Sequence, residues 1–222
     1  MSQWTIIVPA GGVGSRMGSD RPKQYLELCE KPLLIHTLKA LDPYFNQPKF
    51  IIAMDLSWEE YVLSYLIQEG LKDRCCIVSG GKERYDSVKN ALERVDTTWV
   101  GVHDAVRPFV SMNTINHLMA GIVQYPAIIP VLPLKDSLRR LHPNHTEAMK
   151  REEFACVQTP QCFHADVLKR AYALPLEETF TDDASLVEYS GIKIHCVSGN
   201  EENIKITSPI DLLLAKQLLT LQ

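Results

Sequence analysis

The chain has 222 residues, 45% of them hydrophobic, enough to bury one substantial core and to form a single domain over residues 1–222. A formal net charge of −4 argues against a nucleic-acid binder, which needs a net basic face, so any anion must be held by local cations. Six cysteines without C-x-x-C spacing read as reduced packing residues of a cytoplasmic protein, and no targeting signal, membrane span or zinc pattern is visible.

In chain order, the apolar run Trp4 to Val8 predicts a strand that opens into Pro9-Ala10-Gly11-Gly12-Val13-Gly14-Ser15-Arg16-Met17-Gly18, followed by Pro22-Lys23-Gln24-Tyr25. Glycines let backbone N–H groups approach a phosphate closely, and Arg16 and Lys23 supply charge that neutralises it. The segment reads as a triphosphate cradle; the alternative is a plain strand-to-helix turn with surface cations. A dinucleotide fingerprint starting at Gly12 fails at Met17, and the loop lacks the Gly-Lys-Ser/Thr ending of a P-loop.

Apolar segments then alternate with helical patterns: a helix around 32–41, a strand over 50–54, a helix over 58–68, a strand over 75–78 and a helix over 86–95. A strand over 99–103, a helix over 114–124 and a strand over 127–131 follow. Several strands are continuous apolar runs, as in a sheet covered on both faces, so the fold class is α/β with a doubly wound, mostly parallel sheet. Ligands of such sheets sit beyond the carboxyl ends of the strands. Three segments leave from that edge: the loop after Val8, the turn Gly80-Gly81-Lys82-Glu83-Arg84-Tyr85-Asp86-Ser87, and His103-Asp104-Ala105-Val106-Arg107-Pro108. Ser87 could hydrogen-bond a base or phosphate; Asp104 and Arg107 could be a structural bridge, or Asp104 could hold a ribose hydroxyl or a metal-bound substrate.

Residues 134–154 break the rhythm with two short polar segments around a turn at His142-Pro143-Asn144-His145. An isolated hairpin is marginal on its own, so this one is expected to project as an arm that clasps a second subunit. Thr181-Asp182-Asp183 reads as a capped helix start, stopped by Gly191. In Asn203-Ile204-Lys205-Ile206-Thr207, strand alternation sends Lys205 away from the two isoleucines. Ser208-Pro209-Ile210-Asp211 is a capping box that opens a terminal helix. Alone, Arg151 and Lys205 read as solvated cations as readily as ligands.

Taken together, the Ala-Gly-Gly-x-Gly-Ser-Arg-Met loop, Pro22-Lys23-Gln24-Tyr25, Gly80-Gly81 with Arg84 and Asp86-Ser87-Val88, His103 to Pro108, Thr159-Pro160-Gln161, Thr181 to Ser185 and Asn203 to Thr207 resemble the 2-C-methyl-D-erythritol 4-phosphate cytidylyltransferase family in content and order. The resemblance implies a Rossmann-like nucleotidyltransferase sheet with a projecting β-arm. It also implies transfer of a cytidylyl group from CTP to methylerythritol phosphate, in the non-mevalonate route to isoprenoid precursors.

By the same resemblance, Arg16 and Lys23 match the transition-state cations, and Arg151 and Lys205 match the groups that position the acceptor phosphate. Ala10, Gly11, Gly12, Gly80, Ser87 and Asp104 match the CTP contacts; Arg107, Ser137, Thr159 and Thr181 match the acceptor side. Ser137 stands where the family often has threonine, which keeps the hydroxyl and loses the β-branch. The arm 134–154 is implied to exchange across a homodimer, so that Ser137 and Arg151 serve the partner's site. Magnesium is expected to be held mainly by CTP phosphates, which leaves no dedicated protein metal site. His103 to Pro108 also occurs in the sister family acting on ribitol or ribulose phosphate, and a catalytically silent nucleotide-binding subunit is the alternative outside enzymes.

Overall fold

A computed structural model describes residues 3–12, 21–175 and 180–220. The elements in chain order are β1 (Trp4–Ala10), β2 (Glu27–Leu28), β3 (Lys31–Pro32), α1 (Leu33–Leu41), β4 (Lys49–Met54), α2 (Glu59–Gln68) and β5 (Cys75–Ser79). They continue with α3 (Arg84–Leu92), β6 (Trp99–Val102), α4 (Met112–Ile122), β7 (Ala127–Pro133), β8 (Leu138–Leu141), β9 (Thr146–Met149) and β10 (Ala155–Val157). The last are β11 (Gln161–His164), α5 (Ala165–Tyr172), α6 (Asp183–Tyr189), β12 (His195–Ser198) and α7 (Pro209–Thr220).

The central sheet runs β5-β4-β1-β6-β11-β7, with β12 parallel to β7 and β10 antiparallel to it. β4, β5 and β6 lie parallel to β1 or to its neighbours, and β11 is antiparallel to both β6 and β7. β10 and β11 act as one strand interrupted at 158–160, since their registers on β7 differ by two residues: Val157 faces Val131 and Cys162 faces Ile128. The expected doubly wound, mostly parallel sheet is therefore present, with one interrupted antiparallel strand inside it.

The period of two in a strand decides which layer each side chain joins. On β1, Trp4, Ile6, Val8 and Ala10 enter one apolar cluster while Ile7 enters another. On β4, Phe50, Ile52 and Met54 go one way and Ile51 and Ala53 the other. The first cluster is closed by α1, α2 and α4 through Leu38, Leu66 and Leu118. α3, α5 and α6 close the second through Val88, Leu168 and Val187. Helices on both faces are what allow the strands to be continuous apolar runs. Cutting the fully buried Phe50 back to alanine would cost about 3–5 kcal/mol.

A smaller cluster of Leu28, Leu33, Phe109, Ile206 and Ala215 seats α7 beside the turn after β6. Asp211 accepts from the backbone N–H groups of Thr207 and Ser208, and the Ser208 hydroxyl accepts from Asp211 N–H, which is the reciprocal cap expected at this helix start. Asp182 caps α6, and Gly191 follows with φ +89°. α3 begins two residues earlier than its apolar pattern predicts, because Glu83 and Asp86 form a capping box that recruits Arg84 and Tyr85. β8 and β9 pair as the expected hairpin, with the His142 N–H donating to the His145 carbonyl across the turn.

Candidate active site

Four parallel strands deliver their carboxyl ends to one edge, and the chain order switches sides around β1, which is where open α/β sheets bind ligands. A cleft there is lined by Pro9 to Gly12, Lys23, Gln24, Gly81 to Arg84, Ser87, Asp104 to Val106, and Lys205. Ala10, Gly11, Gly12, Lys23, Ser87, Asp104 and Lys205 are thus brought together from segments far apart in the chain. Arg16 lies outside the described residues.

The start of the glycine loop is fixed from behind. Gln24 Nε2 donates to Ala10 O at 2.5 Å and to Gly12 O at 3.0 Å, and the Tyr25 hydroxyl reaches Ala10 O at 3.4 Å. Tyr25 is fully buried and stacks on Trp58 at 4.7 Å between centroids. In a trans peptide the N–H points opposite the preceding carbonyl, so pinning Ala10 O turns the Gly11 N–H the other way. Lys23 sits between Pro22 and this anchored pair, which limits where its ammonium can reach.

The second wall is the turn after β5. Gly80 N–H donates to Met54 O at 2.8 Å, and a Cβ on Gly81 would overlap Asp86 Cβ, so this approach needs glycine. Ser87 is buried; its hydroxyl accepts from Gly81 N–H at 3.0 Å and donates to Glu83 O at 3.1 Å, leaving it acceptor capacity toward a ligand.

Asp104 is the electrostatic centre. Its carboxylate lies 2.9 Å from Arg107 Nε, 3.2 Å from Lys205 Nζ and 3.9 Å from Arg84 Nε. Burial alone would raise its pKa, but Lys205, Arg107 and Arg84 outweigh that and hold the carboxyl well below the usual range. Arg107 also donates from Nη1 to Asn203 O at 2.7 Å, and Ile206 N–H donates to Val106 O at 3.0 Å. These two bonds dock the 203–206 segment on the turn after β6. Ile206 is buried and Lys205 exposed, following the expected alternation.

Below the cleft, His103 is fully buried and its pKa is pushed down to about 4, chiefly by burial. Its Nε2 is 3.0 Å from Arg107 O, a pure acceptor, which assigns the proton to Nε2; Nδ1 then accepts from the Thr159 hydroxyl at 3.0 Å. The same hydroxyl accepts from Asp104 N–H at 3.1 Å. Thr159, matched by resemblance to the acceptor side, is buried and its hydroxyl belongs to this chain of bonds under Asp104.

Three other matched residues stand apart from the cleft of their own chain. Ser137, Arg151 and Thr181 are exposed, and Arg151 Nη1 donates to Lys135 O at 2.7 Å within the arm. Several site groups carried no separate signal in the sequence. Lys82 and Arg84 lay in the second glycine turn without an assigned role, Gln24 was indistinguishable from a solvated amide, and Asp183 looked like a helix-start carboxylate. In the structure Asp183 is fully buried and bonded to Arg84 Nη2 at 2.6 Å. Among the described residues, no group of three or more His, Cys, Asp or Glu could hold a metal ion.

The arrangement presents cations around one buried carboxylate beside a glycine loop. Such a site can hold polyphosphate and stabilise charge on a phosphorus under attack. Residues 4–221 match the family model described as 2-C-methyl-D-erythritol 4-phosphate cytidylyltransferase. The chain is 41% identical over 216 residues to the 2-C-methyl-D-erythritol 4-phosphate cytidylyltransferase of Bacteroides fragilis, covering 97% of this chain and 99% of that protein. The crystal structure of the enzyme so named from Thermus thermophilus superposes with a TM-score of 0.81 at 32% identity, covering 97% of this chain and 98% of that one. The bifunctional IspDF from Campylobacter jejuni superposes with a TM-score of 0.81 at 31% identity; 96% of this chain is covered, and it spans about half (54%) of that longer protein.

Proposed function

The chain belongs to the 2-C-methyl-D-erythritol 4-phosphate cytidylyltransferase family, and on that premise we propose how its residues divide the work of the family's reaction. The reaction transfers CMP from CTP to 2-C-methyl-D-erythritol 4-phosphate, giving 4-diphosphocytidyl-2-C-methyl-D-erythritol and pyrophosphate in the non-mevalonate pathway to isoprenoids. An oxygen of the acceptor phosphate forms the new bond to the α-phosphorus as the bond to the bridging oxygen of the β-phosphate breaks. A phosphate dianion is already a nucleophile, so the protein's task is to align two polyanions and to offset the charge of the transition state.

In this assignment Ala10 to Gly12, Gly80 and Ser87 receive the nucleotide. Lys23 offsets charge on the α-phosphorus, a role that the family resemblance gives to Arg16 as well, and Lys205 takes the acceptor phosphate, with Asp104 and Arg107 setting the position of Lys205. The observation that carries the reading is the Asp104 cluster, where Lys205, Arg107 and Arg84 converge on one buried carboxylate at the mouth of the glycine loop.

Magnesium fits this donor set as a metal brought by the nucleotide, since Asp104 is already committed to cations and magnesium keeps phosphate and water ligands readily. Bound to the CTP phosphates, it would supply charge neutralisation on the leaving pyrophosphate. Chelation with EDTA should abolish turnover, and added magnesium should restore it.

The active form is a homodimer in which the arm 134–154 of each subunit delivers Ser137 and Arg151 to its partner's cleft. Support comes from the exposure of both residues in their own subunit and from the apolar groups left open on and beside the arm, Leu141, Phe154 and Val157. Six free cysteines support a reducing compartment, the cytoplasm.

A coupled pyrophosphate-release assay with CTP and a panel of acceptors tests the assignment of substrate. Turnover is expected with methylerythritol phosphate and not with ribitol or ribulose 5-phosphate; the reverse preference would overturn it.

A further inference from the structure

Asp183 is a fully buried carboxylate that no step above uses. A buried charge is costly unless it is paired, and removal of one partner leaves the other exposed to that cost. Here Oδ1 accepts from the Tyr172 hydroxyl at 2.6 Å and Oδ2 from Arg84 Nη2 at 2.6 Å. Arg84 leaves the first turn of α3 and lines the cleft, where its Nε stands 3.9 Å from Asp104. One guanidinium is therefore shared unequally between two carboxylates, tightly with the buried one and loosely with the one in the site.

Asp104 is itself shared among three cations, and among the described residues only the loosest, Arg84, is anchored by a second carboxylate. Arg107 already donates to Asp104 from Nε and is held in place by a second bond, from its Nη1 to Asn203 O. Lys205, at 3.2 Å on a flexible and exposed side chain, is the cation free to move in or out as the charge on Asp104 is more or less satisfied.

We propose that Asp183 withholds Arg84 from Asp104 and thereby sets how tightly Asp104 holds Lys205, which makes Arg84 and Asp183 positioning residues for the acceptor phosphate. This rests on the assignment of Lys205 to that phosphate. Without Arg84, Asp104 draws Lys205 closer and competes with the acceptor for its ammonium. Without the charge of Asp183, Arg84 turns to Asp104 and Lys205 is released. The two substitutions act in opposite directions, whereas a simple brace between α3 and α6 would be weakened by both alike.

The test measures steady-state kinetics against each substrate, with thermal melts, for Arg84→Gln, Asp183→Asn and Lys205→Met. Arg84→Gln is expected to raise the acceptor KM about tenfold, equivalent to one factor of ten in affinity, with the CTP KM moving less than about twofold. Asp183→Asn is expected to lower the acceptor KM. A rise with both variants, or an equal rise in CTP KM for Arg84→Gln, overturns the proposal. Lys205→Met reports on the underlying assignment separately: an unchanged acceptor KM there removes the role of Lys205 itself. If Asp183→Asn fails to fold, Tyr172→Phe replaces it. That variant leaves Asp183 to Arg84 alone and should raise the acceptor KM, so no change or a fall counts against the proposal.

Discussion

Lys23 is the residue on which rate should depend most steeply. A cation aimed at charge that appears only in the transition state contributes to turnover and little to ground-state binding. Lys23→Ala should therefore lower kcat by about 10²–10³-fold, the range for removing one preorganised charge-stabilising donor. CTP affinity, read by calorimetry, should change far less; equal losses would assign Lys23 to binding. His103 makes a prediction about pH. Its folded pKa of about 4 lies below its ordinary value of 6.5, so between those values the unfolded chain binds the extra proton and stability rises with pH. The contribution is full above about 6.5 and is lost as pH falls toward 4. Urea midpoints across that window should slope less steeply in His103→Gln than in the parent, and identical slopes would exclude His103 as the source. At this scale the sequence revealed residue types better than their surroundings. Asp104 was recognisable from its place after an apolar strand, while nothing in Thr159 disclosed that its hydroxyl would be consumed by His103 and the Asp104 backbone.

Elements whose signals are local were the most legible. The capping box of α7, the capped start and glycine stop of α6, and the apolar strands β1, β4, β5, β6 and β7 each follow from a few neighbouring residues. β10 and β11 were not anticipated, because their pairing with β6 and β7 depends on partners distant in the chain and Pro160 interrupts their pattern. β12 is short and alternates partly exposed residues, so its pattern is weak. Two predictions belong here. Asp211→Ala removes the acceptor for the Thr207 and Ser208 N–H groups and should cost about 1 kcal/mol, seen as a lower melting temperature with unchanged kinetics. Gly81→Ala should disrupt the turn after β5, where the new Cβ meets Asp86, and raise the CTP KM; Gly12→Ala, whose Cβ would meet nothing within 4 Å among the described residues, should leave the fold intact. Equal melting temperatures for the two glycine variants would contradict the packing argument.

For the whole molecule, the sheet order places the nucleotide loop, the Asp104 turn and Lys205 at one edge, yet Ser137 and Arg151 remain on the arm, outside the cleft of their own chain. On the proposed homodimer, each cleft is completed by the partner's arm. The most direct measurement mixes two inactive variants, Lys23→Ala and Arg151→Ala, after dissociation and reassociation. In a mixed dimer, one cleft keeps its own Lys23 and receives an intact Arg151, while the other site lacks both. Random pairing makes half the dimers mixed, with one good site in two, so activity should recover to about one quarter of the parent's. Activity no higher than the average of the two variants alone would show that each arm serves its own subunit and would contradict the shared site.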